Sequence, residues 1–242
     1  MEAEREALHG RYQAALQAAE GRGCRNVAEE FEAEVGLSKT VISLSLQQME
    51  ILAGSDQDLY TTYYKKLGAE SRTPHGNKWD RLRGLADEAL FPNYRENIRF
   101  GALSLDGAGI PTYGECTLVL REDMIAHRAS VFEENSALFM ERHGYDSPSG
   151  YRADWRERAR LGVAKLASRL EPTTTREQFP AILLKPGPTP EEDRFIEVHV
   201  WGPISRRAVE CVQVRAGQVL RPTYIKALHD RLLESGTILE VS

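Results

Sequence analysis

The pattern of apolar residues changes period near residue 97, and this constrains the fold more than any other feature. Before it, apolar side chains recur at helical spacing: Leu8, Tyr12, Ala15, Leu16 and Ala19, then Val27 to Val35. After it, short runs of alternating or β-branched residues are divided by Gly- and Pro-rich turns, as in Ile98–Leu105 and Cys116–Leu120. A chain of this kind predicts an α+β protein, with a helical front followed by a mostly antiparallel sheet.

The helices expected in the front end at Gly21-Arg22-Gly23, at Gly36 and at Gly54. Ser38 is read as the N-cap of the third, running through Val41, Leu44 and Met49. Asp56 would cap a fourth, with Leu59, Tyr60, Tyr63, Tyr64 and Leu67. Residues 71–77 are a loop by composition and contain His75, and Trp79, Leu82, Leu85, Ala86 and Leu90 form a fifth helix. The expected division is a helical module or lid over residues 1–76 and an α+β domain over 77–242. In that domain, strands are expected at Arg128–Phe132, Phe179–Leu184, Phe195–Trp201 and Ala208–Val214, with helices at Asp154–Leu170 and Tyr224–Leu233.

Composition removes several classes. The chain has 242 residues and a net charge of −5, and no apolar run approaches the length of a membrane span. Residues 1–58 carry 5 basic and 11 acidic side chains, so a protein partner with a basic surface is an expectation for the front and nucleic acid is not. Gly36 and Ser38–Thr40 echo a helix-turn-helix, but the helix expected there has no Lys or Arg after Lys39 to contact phosphates. Cys24, Cys116 and Cys211 stand apart from one another and imply neither a zinc ribbon nor a disulfide framework. Reduced thiols and a charged N-terminus point to the cytoplasm, and a translocated effector would read the same way.

The most informative segment is Phe195-Ile196-Glu197-Val198-His199-Val200-Trp201-Gly202-Pro203. In a strand, Ile196, Val198 and Val200 share one face, and Phe195, Glu197, His199 and Trp201 the other. A carboxylate and an imidazole between two aromatics suit a cleft wall, and a mixed exposed face would show the same spacing. Two aromatic–glycine pairs, Phe100-Gly101 and Tyr113-Gly114, allow close approach of either a ligand or a neighbouring strand. Ser130 and Ser136 are candidate hydrogen-bond donors.

Taken in order, Phe100-Gly101-Ala102-Leu103, Tyr113-Gly114, Arg128 to Phe132 with Ser136, and Glu197 to Pro203 resemble an uncharacterised bacterial family. Its strands read Tyr-Gly-Ala-Leu, aromatic-Gly, Arg-x-Thr-Phe with a following Ser, and Glu-Ala-His-Val-His-Gly-Pro. The resemblance spans about residues 77–215, interrupted between 140 and 190. Here Ser130 stands for the Thr, Val131 interrupts the Arg-x-Thr-Phe spacing and Trp201 stands for the second His. That family is in turn similar to the ADP-ribosyltransferases of bacterial toxins and effectors. The similarity implies a split sheet around an NAD cleft and transfer of ADP-ribose to a macromolecular acceptor. Glu197 would stabilise the oxocarbenium-like state, with Ser130 orienting it and His199 tuning it or binding the acceptor. Arg99 or Arg128 would hold the diphosphate, and Tyr113 or Trp201 would stack on nicotinamide. Two other readings remain open from the residues: an interaction module that keeps the sheet without the chemistry, and a metal-dependent hydrolase around Glu197 and His199. The second needs a further ligand that the sequence does not offer.

Overall fold

The computed structural model describes residues 2–57, 59–60, 78–144, 148–215 and 222–241. The chain opens with α1 (Glu2–Gly21) and α2 (Arg25–Gly36), followed by β1 (Lys39–Leu44), α3 (Leu46–Gly54) and α4 (Lys78–Leu90). Next come β2 (Ile98–Ser104), β3 (Cys116–Leu120), α5 (Glu122–Ile125), β4 (Ala129–Phe132), α6 (Ser136–His143), β5 (Arg152–Asp154), α7 (Arg158–Leu166) and α8 (Phe179–Leu183). The chain closes with β6 (Glu197–Trp201), β7 (Val209–Val214), α9 (Pro222–Leu233) and β8 (Ile238–Val241).

The eight strands hydrogen-bond in the order β5-β4-β6-β2-β1-β3-β7-β8. They form one continuous sheet rather than the split one implied by the resemblance. Every neighbouring pair is antiparallel except β7 and β8. The fold is therefore α+β with a helical front and a mostly antiparallel sheet, as the change of period predicts.

Two expected elements change type, and α5, α6, β5 and β8 are additions to those expected. The third helix, predicted over residues 38–54, is a strand in its first half: β1 pairs with β2 and β3 at the centre of the sheet. Thr40, Val41 and Ile42 are stiff at χ1 and suit a pleated sheet better than a helix. The helix begins only after Ser45, which accepts from the Gln48 N–H while Gln48 reaches back to the Ser45 N–H. A boundary at residue 76 would consequently cut through one sheet, because β1 belongs to the front. Residues 179–183, expected as a buried strand, form α8 with Pro180 in its first turn. A five-residue apolar run has too little length to reveal its period. Of the helix expected beyond Asp56, Leu59 and Tyr60 are described and are not helical; its later residues and the loop with His75 fall on residues 61–77, outside the described residues. Asp56 pairs with Arg206 and Arg207, and Leu59 bridges Ser205.

The two faces of the sheet are covered differently. One face carries Ile42, Leu44, Leu103, Leu118, Val131, Val198, Val200 and Val212 into a large continuous core. That core also holds Leu8, Leu16, Phe31 and Val35 of the front and Leu161, Leu166, Phe179 and Leu228 of later helices. The opposite face is covered by two small clusters. One joins Val41, Ala102 and Val119 to Ile110, Leu184 and Phe195. The other joins Phe132 to Leu82, Ala86, Ala137, Phe139 and Met140 of α4 and α6. Glu197 is in register with Ala102 on one side and Phe132 on the other, so it lies on the seam between these clusters.

Candidate functional site

Strand alternation places Glu197 and His199 on the face opposite Val198 and Val200, as predicted. Helices and loops then cover that face, and the two side chains are 2% and 1% exposed. A charge so enclosed needs partners. Arg83 of α4 donates from Nη2 to Glu197 Oε1 at 3.0 Å. The Ser136 N–H, at the first turn of α6, donates to Oε2 at 2.8 Å. His199 Nε2 is 3.0 Å from the same oxygen. Burial raises the Glu197 pKa, but Arg83, His199 and Ser136 outweigh it and hold the carboxyl at about 2.

Arg83 is the hub of the network. It also donates to Ser136 Oγ at 2.9 Å and to Asn135 Oδ1 at 3.2 Å, and lies 3.5 Å from Asp87. Its guanidinium covers the Phe100 ring at 4.2 Å. Burial works against its charge, but Glu197 and Asp87 more than compensate and raise its pKa. Asn135 caps α6 by accepting from the N–H groups of Ala137 and Leu138. The same residue turns Nδ2 towards the Tyr113 hydroxyl at 3.5 Å. Tyr113 is 43% exposed and forms the outer wall. Burial, followed by the Glu197 charge, pushes its phenol up to about 12. Asp193 anchors this wall, accepting from Thr112 Oγ1 at 2.6 Å and from the Gly187 N–H at 2.7 Å.

His199 is enclosed by the rings of Phe91 at 4.8 Å, Phe100 at 5.5 Å and Phe132 at 6.2 Å. Burial lowers its pKa, and although Glu197 opposes this, the net shift is downward and favours the neutral ring. With a proton on Nε2 for Glu197, Nδ1 is a bare acceptor, and it has no partner among the described residues.

Three of the expected residues, Glu197, His199 and Tyr113, thus come to one place, with Ser136 and Phe100. The others do not. Ser130 is opposite His199 in the sheet but makes no bond to Glu197; the Ser136 N–H serves there instead. Arg99 projects from the other face, in register with Val200, and donates to the carbonyls of Tyr60 and Asn97. Arg128 is spent on the carbonyls of Met124, Trp201 and Pro203. Trp201 is 44% exposed at the strand end, against Tyr94 at 4.4 Å. Both aromatic–glycine pairs serve close packing of backbone. A Cβ on Gly101 would be 2.6 Å from the Val41 carbonyl oxygen, and one on Gly114 2.2 Å from the Leu44 carbonyl carbon.

Sequence reasoning missed Arg83. Its one local sign is the i,i+4 spacing to Asp87 on a helix. Asn135 had a clearer sign, a cap residue directly before Ser-Ala-Leu-Phe. Among the described residues no group of three or more His, Cys, Asp and Glu side chains is placed to hold a metal ion. No described helix is long and apolar enough to cross a membrane. Comparison with known proteins finds neither a matching family model nor a similar curated protein.

Proposed function

We propose that the protein is an ADP-ribosyltransferase-like enzyme that cleaves the nicotinamide–ribose bond of NAD, with Glu197 as its central carboxylate. One observation carries this reading. Segments distant in the chain, singled out by the resemblance, meet at Glu197: Phe100 beneath Arg83, Tyr113 as outer wall, Ser136 on Oε2 and His199 beside it. A carboxylate held ionised and oriented before substrate arrives is what an oxocarbenium-like state requires. Glu197 Oε1 accepts one hydrogen bond from Arg83, so it keeps a lone pair for a ribose hydroxyl. The exposed ring of Tyr113 offers a stacking surface to nicotinamide. The diphosphate finds no partner in Arg99 or Arg128, so this part of NAD does not fit the residues expected for it. Access to Oε1 requires the Tyr113 side to open.

The acceptor is an unidentified macromolecule, and a cytoplasmic site of action, in the producing cell or in a target cell, goes with the reading. A second reading, a non-catalytic scaffold, is favoured by the enclosure of Glu197, both of whose oxygens already have protein partners. Nicotinamide released from NAD, followed by chromatography, separates the two. The enzyme reading expects release by the native protein and at least a tenfold loss in Tyr113→Ala, whose thermal unfolding stays near that of the parent. No release by the native protein, or full release by Glu197→Gln, would remove the assignment.

A further inference from the structure

Next to the Glu197 network, the corner of the sheet formed by β4, β5 and β6 holds a cation with few partners. Arg152 is in register with Phe132, and Ser130 with both His199 and Asp154, so these side chains share one face. The Arg152 guanidinium lies 4.8 Å over the Phe91 ring, and that ring lies 4.8 Å from His199. Of its five N–H donors, one finds the Leu90 carbonyl at 3.3 Å, at the C-terminal end of α4. No described carboxylate forms an ion pair with it. The nearest acidic groups are engaged elsewhere: Asp154 with Arg5 at 2.6 Å, and Glu4 with the Gly150 N–H at 2.7 Å. Burial consequently lowers the Arg152 pKa, and Glu4 and Asp154 only partly offset this. The Ser130 hydroxyl makes no hydrogen bond to any described residue. His199 Nδ1, fully buried, lacks a donor.

We propose that Arg152 and Ser130 form an anion site at this corner, which takes a phosphate group of a small ligand. A planar fork with free donors, on the same face of neighbouring strands as a free hydroxyl, matches tetrahedral phosphate oxygens. The unmet acceptor on His199 separates the candidates. A carboxylate brings acceptors alone, whereas a phosphate with a proton or an attached sugar hydroxyl also brings an O–H. Leaving a half-buried guanidinium unneutralised is costly, and a bound anion removes that cost. The site does not depend on the NAD reading, since free phosphate and a nucleoside diphosphate carry the same chemistry.

The test is calorimetric titration of the full chain with inorganic phosphate and, separately, with ADP. Binding should weaken at least tenfold in Arg152→Gln, by less in Arg152→Lys and about threefold in Ser130→Ala, and stay unchanged in Arg128→Gln. Thermal unfolding of each variant checks that the fold is retained. Equal responses to both probes assign the site to free phosphate, and tighter ADP binding assigns it to nucleotides. The inference is overturned if the native protein takes up neither probe at about 10 mM, a concentration beyond millimolar affinity. It is also overturned if Arg152→Gln binds as the native protein does. Nicotinamide release is measured independently, so the two ideas fail separately.

Discussion

The two faces of the sheet solve the problem of burial in different ways. On the face covered by α1, α2, α3 and α7, stability comes from a single large apolar core. On the face covered by α4 and α6, two small apolar clusters leave a seam, and that seam is filled by Arg83, Asp87, Glu197 and His199. An apolar face stabilises in proportion to area removed from water and tolerates repacking. A buried ionic seam contributes little net stability, yet it is intolerant of losing one member. A seam of that kind is a costly place to keep charge unless the charge serves a purpose, which is why the candidate chemistry is assigned there.

Experiments on both faces would break or sharpen this contrast. The largest effect is expected from Glu197→Ala, which leaves the Arg83 cation with the more distant Asp87 and should cost about 3–5 kcal/mol in denaturant unfolding. The double variant Arg83→Leu with Glu197→Leu should lose less than the two single changes summed, because neither charge is left alone. Simple additivity of the two would mean that they do not act as a pair.

On the apolar face, Leu118→Ala should cost about 2–4 kcal/mol by opening a cavity, with no dependence on pH. The seam, by contrast, should respond to acid. Glu197 has its pKa lowered from 4.5 to about 2, so its contribution is complete above about pH 4.5 and lost as the pH falls towards 2. His199 acts in the same direction, since a buried neutral imidazole resists protonation that the unfolded chain accepts. Unfolding free energy followed from pH 7 to pH 2 should fall more steeply in the parent than in Glu197→Gln. Parallel curves would show that the carboxylate is not what acid attacks.

A second pH effect, of opposite sign, concerns Lys165, whose Nζ ties the carbonyls of Glu133 and Phe195 together near the ends of β4 and β6. Burial lowers its pKa from 10.5 to about 7. The unfolded chain therefore holds more protons between those values, and stability should rise from pH 7 to pH 10. Lys165→Met should flatten that rise.

Much of this was legible residue by residue. The end of α1 at Gly21 to Gly23, the strands at Cys116–Leu120 and Val209–Val214, and the shared side of Glu197 and His199 all follow from local periodicity and turn chemistry. Where β-branched residues met a helical spacing, at Lys39–Leu44, spacing was the wrong guide, because pairing with two neighbouring strands outweighs it. Arg99 and Arg128 were attractive as diphosphate anchors by residue type alone. Their true partners are backbone carbonyls that come close only in the folded chain.

Alternation along β6 was enough to decide which residues stand beside Glu197 and which stand behind it, because successive side chains of a strand must point opposite ways. It could not decide whether that side meets water or protein. Arg83, 114 residues away, and the first N–H of α6 reach the carboxylate only after α4 and α6 pack over the sheet. Charge pairing depends on distance in space, and no local period of the chain encodes which helix will arrive.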